Sequence, residues 1–291
     1  MDKNPSATEG EKPAPQLKIY FLPNLMTAGN LFCGFVALTK IVEAQLPDPS
    51  GYNEIRIALG FILTACIFDL LDGRLARMGG VESAFGREFD SLADLISFGC
   101  APAFLVHRVV LHQIFIDTPE IGWFLASIYL ICGALRLARF NCLAAMAGGG
   151  GGKEFMGFPI PAAAGLVASL TFFLMWGEKT DRDLTHGPWR YILPGLLIFL
   201  SIMMVSEVKY PSFKTLDLKA RRTFPKMVVT ILFIGGLFIL RRWILPIVLP
   251  LMFTVYLSYG FVRPLMSRKM RREIEEEDDE DHGDDANTFT P

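Results

Sequence analysis

The chain has 291 residues, 52% of them hydrophobic, with 24 phenylalanines and a positive mean hydropathy. A soluble domain of this size cannot bury that much apolar material, so an ordinary globular class is excluded and the chain is expected in a bilayer. The formal net charge of -2 conceals an asymmetry, because Lys and Arg collect in particular loops while acids collect between Glu273 and Asp285.

The first 16 residues are polar and Pro-rich and read as a disordered N-terminus, without the ordered regions of a secretory signal. Stretches near the roughly 20 residues needed to cross the hydrocarbon core then follow at 24–45, 56–78, 87–107, 121–140, 159–177, 190–207, 225–241 and 244–262. The fold expected is all-α, a polytopic transmembrane bundle of eight spans with a polar cavity facing the cytoplasm. It divides into a membrane domain over 17–215, an added two-helix hairpin over 216–265, and a disordered tail over 266–291 that is first basic, then acidic. Arg241 and Arg242 fall between the last two spans, as the outer turn of a tight hairpin or as interfacial residues with snorkelling stems.

Lys and Arg near span ends accumulate on the cytoplasmic side. Lys209, Lys214, Lys219, Arg221 and Arg222 occupy one loop, and Arg263, Arg268, Lys269, Arg271 and Arg272 follow the last span. With eight spans these lie on the side of the N-terminus, so both termini are expected in the cytoplasm. The run AAMAGGGGGKEFMG at 144–157 is expected to be a flexible loop on that side. The five cysteines, Cys33, Cys66, Cys100, Cys132 and Cys142, lack CxxC spacing and sit mostly in apolar runs, which predicts neither disulfides nor a zinc site.

Chemistry concentrates in FDLLDGRLARMGGVESAFGREFDSLADLISFG, residues 68–99. Asp69 and Asp72 are three apart and Asp90 and Asp94 four apart, so each pair projects from one face of its helix. Carboxylates at membrane depth persist where they face a bundle interior and find partners. Arg74, Arg77 and Arg87 could neutralise them in a purely structural ion-pair network. A divalent cation explains the cluster better: these are hard oxygen ligands suited to Mg²⁺ or Mn²⁺ shared with substrate phosphates, and the stretch has no His for zinc. Gly73 and Ala76 keep their helix face thin for a nucleotide, Arg77 is placed to meet a diphosphate, and Gly86 opens the next helix, although each small residue alone also suits helix packing in lipid.

The pattern DxxDGxxAR, then eight residues, then GxxxDxxxD is filled by Asp69, Asp72, Gly73, Ala76, Arg77, Gly86, Asp90 and Asp94. It resembles the signature of the CDP-alcohol phosphatidyltransferase family. The resemblance implies that Asp69, Asp72 and Asp90 bind metal, with two ions expected. It also implies that Asp94 contributes to the metal site and acts as base, and that Asp72, Gly73, Ala76, Arg77 and Gly86 hold the CDP moiety. Further strings, LPNLMTAGNLFCG at 22–34, SFGCAPA at 97–103, GALRLARFN at 133–141, GFPIPAAA at 157–164 and MVSEVKYPSFK at 204–214, resemble the phosphatidylserine synthase branch. The last two spans and the tail lie outside this resemblance.

The resemblance implies a membrane transferase that takes CDP-diacylglycerol and L-serine as substrates, works among membrane lipids as a homodimer, and has no nucleic-acid partner. An active site facing the cytoplasm of a bacterial inner membrane is expected. Arg136 and Arg139 are candidates to clamp the serine carboxylate, with membrane anchoring or lipid-phosphate contact as their competing role; Lys214 is a candidate for a lipid phosphate, with a solvated basic loop as the competing reading. Asn24, Thr27 and Asn30 share one face of the first helix, where they meet the nucleotide or bond to other helices. Other acceptors (glycerol 3-phosphate, inositol) or an ether-lipid donor stay open. The rival class, a carboxylate-lined transporter, would show repeated halves, and no internal repeat is present.

Overall fold

The computed structural model describes residues 20–46, 48–78, 83–146, 154–178, 191–211 and 241–262. Seven helices are described: α1 Phe21–Glu43, α2 Pro49–Met78, α3 Ala84–Ile114, α4 Pro119–Met146, α5 Ile160–Glu178, α6 Ile192–Val205 and α7 Arg241–Val262. Two short strands, β1 Glu154–Met156 and β2 Lys209–Pro211, pair antiparallel, with Phe155 opposite Tyr210.

Local chemistry sets several of these boundaries. Proline opens α2 at Pro49 and α4 at Pro119, where its missing N–H costs nothing, and Glu120 complements the positive end of α4. Ser83 caps α3 by accepting from the Gly86 amide at 3.0 Å. The α3 helix is not uniform: π-helical turns cover Leu95–Cys100 and His107–Leu111. Pro102 follows the first of these and has no N–H to offer the Phe98 carbonyl four residues back. The buried Tyr129 hydroxyl of α4 donates to that carbonyl at 3.1 Å, so a side chain from another helix serves a group the backbone ladder leaves short.

Helix α1 packs along α2 and α3, α2 on α5, α4 on α6 and α3, and α5 on α7. At Gly34 the absence of a side chain is required: a Cβ there would collide with Ser97 Oγ, and the Ser97 hydroxyl donates to the Asn30 carbonyl at 2.9 Å. The exterior is apolar, with Phe32, Phe35, Leu70, Leu92 and Ile202 each more than half exposed, whereas Asp72, Asp94 and Arg136 are buried. This inversion suits a lipid surround rather than water.

Among the described residues, three helices are long and apolar enough to cross a membrane, Phe21–Glu43, Ala84–Ile114 and Pro119–Met146, with shorter apolar helices at Ile160–Trp176, Ile192–Val205 and Pro246–Gly260. The chain is thus a largely helical protein of membrane character. The expected span 56–78 begins earlier, at Pro49, and the expected span 87–107 runs from Ala84 to Ile114, continued beyond residue 107 by the second π turn. The span expected at 225–241 lies outside the described residues, while Arg241 and Arg242 form the first turn of α7. The 144–157 run is not loop throughout: α4 continues to Met146 and residues 154–156 form β1. The turn out of β1 uses Gly157 at φ 78, a left-handed conformation suited to glycine, and the Gly157 amide donates to the Val208 carbonyl at 2.9 Å.

Candidate active site

The carboxylates stand where α2 ends and α3 begins. Asp69 and Asp72 project from the last turns of α2, and Asp90 from α3, and one carboxylate oxygen of each lies within 4.8 Å of the others. Asp72 is buried, and Asp90 Oδ1 is buried with no hydrogen-bond partner. An acceptor-only group left unsatisfied beside two further carboxylates costs free energy unless a cation completes the set. Three hard oxygen donors without nitrogen or sulfur fit a divalent cation of the Mg²⁺ kind. Asp94 sits one turn further along α3 than Asp90 and is buried as well.

Helix α1 orients these acids. The Thr27 hydroxyl donates to Asp72 Oδ2 at 2.9 Å, and Asn30 Nδ2 donates to Asp94 Oδ1 at 3.0 Å. Residues three apart share a helix face, so one side of α1 touches both pairs of acids at once. The face formed by Asn24, Thr27 and Asn30 thus does make interhelical hydrogen bonds through Thr27 and Asn30, while the Asn24 amide nitrogen is buried and unpartnered beside Gly86. Ser97 then anchors α1 one turn beyond Asp94. The sequence pattern marked this face without saying which groups it would meet.

Gly86 lies in the first turn of α3, and Arg87 beside it has a buried Nε without a partner. Gly73 follows Asp72 in α2. Ala76 and Arg77 belong to the last turn of the same helix, with side chains outside the described residues. Lys214 also lies outside them.

The two α4 arginines occupy different surroundings. Arg136 is only 8% exposed, its Nε has no partner, and its charge interacts with those of Asp94 and Asp69. Arg139 turns away: its guanidinium donates to the carbonyls of Val205 and Ser206 at 3.2 and 3.1 Å. These carbonyls end α6 and lack intrahelical donors, so Arg139 caps that helix. Of the two candidates for an acceptor clamp, the fold buries Arg136 and gives Arg139 partners at the end of α6.

The sequence model of the CDP-alcohol phosphatidyltransferase family matches residues 20–206. The chain is 31% identical over 245 residues to the CDP-diacylglycerol–serine O-phosphatidyltransferase of Helicobacter pylori (strain J99), covering 84% of this chain and 91% of that protein. It is 34% identical to the protein of the same name from Bacillus subtilis (strain 168), over 67% of this chain and 92% of the relative. The archaetidylserine synthase of Methanothermobacter thermautotrophicus is 35% identical over 61% of this chain and 70% of its own length. The 245-residue match is too long to end at residue 206, so similarity runs beyond the family's matched stretch toward α7. With Asp69, Asp72 and Asp90 of the DxxDGxxAR and GxxxDxxxD pattern gathered in one carboxylate cluster and this match over most of its helices, the chain belongs to the CDP-alcohol phosphatidyltransferase family.

Proposed function

We propose that the protein transfers the phosphatidyl group of CDP-diacylglycerol to L-serine, giving phosphatidylserine and CMP. The observation that carries this reading is the convergence of Asp69, Asp72 and Asp90 within 4.8 Å, in a chain whose long relatives are named for this reaction. Asp69, Asp72, Asp90 and, at its edge, Asp94 would hold Mg²⁺ or Mn²⁺, two ions in all. Bound there, the metal neutralises the diphosphate and the developing charge on the leaving CMP.

The remaining work falls to the chain's own side chains. Asp94, oriented by the Asn30 amide, accepts the proton of the serine hydroxyl. The hydroxyl oxygen attacks the phosphorus that carries diacylglycerol, and the bond to CMP breaks. Gly73, Ala76, Arg77 and Gly86 line the CDP subsite. Arg136, a buried cation on α4, would receive the serine carboxylate as a paired charge. An apolar exterior lets the donor keep its acyl chains in the bilayer.

The proposal extends to eight spans, both termini and the active site on the cytoplasmic side, residues 17–215 as the catalytic domain with 216–265 as an added hairpin, and a homodimer. Lys and Arg counts over the loops support the sidedness. Cysteines introduced at positions 150 and 215 should label only from the cytoplasmic face, and one at 184 only from the other; labelling of 150 and 184 from the same face would refute eight spans.

The decisive experiment is CMP release from CDP-diacylglycerol by purified protein, with serine, glycerol 3-phosphate and inositol offered separately and with EDTA as control. Serine-dependent release that EDTA stops and Mg²⁺ or Mn²⁺ restores is the expected result. Preference for another acceptor would overturn the serine reading and leave the family intact.

A further inference from the structure

Between α3 and α4 lies a cavity of about 250 Å³ that none of the four site aspartates lines; its walls include Glu88, Ser91 and Leu95 of α3 and Leu137, Ala138 and Asn141 of α4. On each helix these residues recur at spacings of three, four and seven, which is one stripe. The cavity is therefore a groove along the helix axes, about 10 Å from Glu88 to Leu95 at 1.5 Å per residue. Its two ends differ in chemistry. Glu88 and Ser91, near the start of α3, meet Asn141, near the end of α4, and make a polar end, while Leu95 and Leu137 make an apolar one. Leu92 and Ala138 also line it and are exposed, so its open side belongs to the apolar exterior that suits lipid.

The hydrogen bonds at the polar end leave only acceptors free. Asn141 Nδ2 donates to Glu88 Oε2 at 3.2 Å and to Ser91 Oγ at 2.9 Å, and the Ser91 hydroxyl donates to the Arg87 carbonyl at 3.0 Å. Both protons of the amide and the proton of the hydroxyl are thus used. Asn141 Oδ1 is buried without a partner, and among the described residues Glu88 makes no ion pair. Turning the amide over would set its oxygen against the Glu88 carboxylate, so the free acceptor is fixed by its neighbours. A buried carbonyl oxygen beside an uncompensated carboxylate calls for a cationic donor.

We propose that this groove binds a membrane phospholipid whose headgroup carries a primary ammonium and no net charge, of the phosphatidylethanolamine type. The ammonium donates to Glu88 and Asn141 Oδ1, and an acyl chain lies along Leu95 and Leu137. A few polar groups set at one end of an apolar cleft orient such a ligand. The headgroup is selected by charge: a serine headgroup brings its own carboxylate against Glu88, the diphosphate of CDP-diacylglycerol is repelled more strongly, and a choline headgroup has the charge but no N–H. The groove is therefore distinct from the donor and acceptor sites and independent of which acceptor is used. Its occupant ties α3, the helix of Asp90 and Asp94, to α4.

Native mass spectrometry of the full-length protein in detergent, titrated separately with dioleoyl phosphatidylethanolamine, phosphatidylcholine and phosphatidylglycerol, tests this. The wild type should bind the ethanolamine lipid about 10-fold more tightly than the choline lipid, the gain expected from hydrogen bonds to a charged group. Glu88→Gln keeps an oxygen for the Asn141 amide and should remove that preference, while Ala138→Phe should obstruct the groove and weaken binding of the ethanolamine lipid. Equal affinity of the wild type for the ethanolamine and choline lipids, tighter binding of the glycerol lipid, or a preference that survives Glu88→Gln would overturn the proposal. So would a dimer that retains no ethanolamine lipid, which would give the groove to a second copy of the chain. The comparison of lipids on the wild type needs no variant, so it decides the matter even if Glu88→Gln does not fold.

Discussion

Two regions of the molecule are built differently. In the carboxylate region, side chains of α1 hydrogen-bond directly to the acids of α2 and α3, through Thr27 to Asp72 and Asn30 to Asp94. In the other region, β2, the start of α5 and α7 are joined by the rings of Phe158, Tyr210 and Tyr256, and the Tyr210 hydroxyl donates to the Leu257 carbonyl. The contrast teaches a division of labour. Groups that meet charge are held by directional bonds, which fix orientation, whereas α7 is held by ring packing, which fixes position.

The largest effect is expected in the carboxylate region. Asp94→Asn should lower turnover by about 10²-fold or more while CDP-diacylglycerol binding stays within about an order of magnitude, since loss of a base affects the chemical step and spares substrate contacts. Single-turnover rates together with equilibrium binding separate the two, and retained turnover would remove Asp94 as the base. Asp72→Asn serves as comparison, with weakened metal-dependent nucleotide binding as its signature.

Next come the residues that hold the acids. Thr27→Val and Asn30→Ala touch no expected substrate atom, yet each should lower activity or metal affinity by roughly 10–100-fold, as is usual when a partner of a metal-binding or catalytic carboxylate is removed. A metal titration of activity measures this. Activity indifferent to both changes would mean that the bonds from α1 merely pack the bundle, and the contrast between the two regions would dissolve.

Packing of α1 on α3 supplies a smaller effect. Gly34→Val must push against Ser97, and overpacking of this kind costs about 1–3 kcal/mol, seen as a lower thermal midpoint in detergent. An unchanged midpoint would show that the close approach at Gly34 is dispensable.

The smallest effect is expected at Arg139. Removing its bonds to Val205 and Ser206 in Arg139→Ala should cost about 1 kcal/mol of stability and alter the KM values for serine and CDP-diacylglycerol equally. A rise confined to the serine KM would return Arg139 to the acceptor site beside Arg136.

Legibility in the sequence follows the same division. Asp69, Asp72, Asp90 and Asp94 lie within one short stretch, and helical periodicity alone pairs them by face. The π turns of α3 were not legible, because they depend on how Pro102 is accommodated and on Tyr129 from α4 reaching the Phe98 carbonyl. Nor was the pairing of β1 with β2, whose strands come from a Gly-rich run and a basic loop with no strand periodicity of their own.

By itself the sequence determined that the chain suits a bilayer, which carboxylates belong together and which family signature they fill. Composition and local spacing suffice for those, since burial of apolar helices and the facing of i, i+3 and i, i+4 residues need no knowledge of the rest of the chain. Only the tertiary structure decided that Thr27 and Asn30 serve the acids, that Arg136 turns inward while Arg139, three residues on, caps another helix, and that Tyr256 of α7 packs on Phe158 and Tyr210. Two arginines three apart on one helix face look alike until neighbouring helices are in place; their partners are set by packing between segments distant in sequence, where no periodicity reaches.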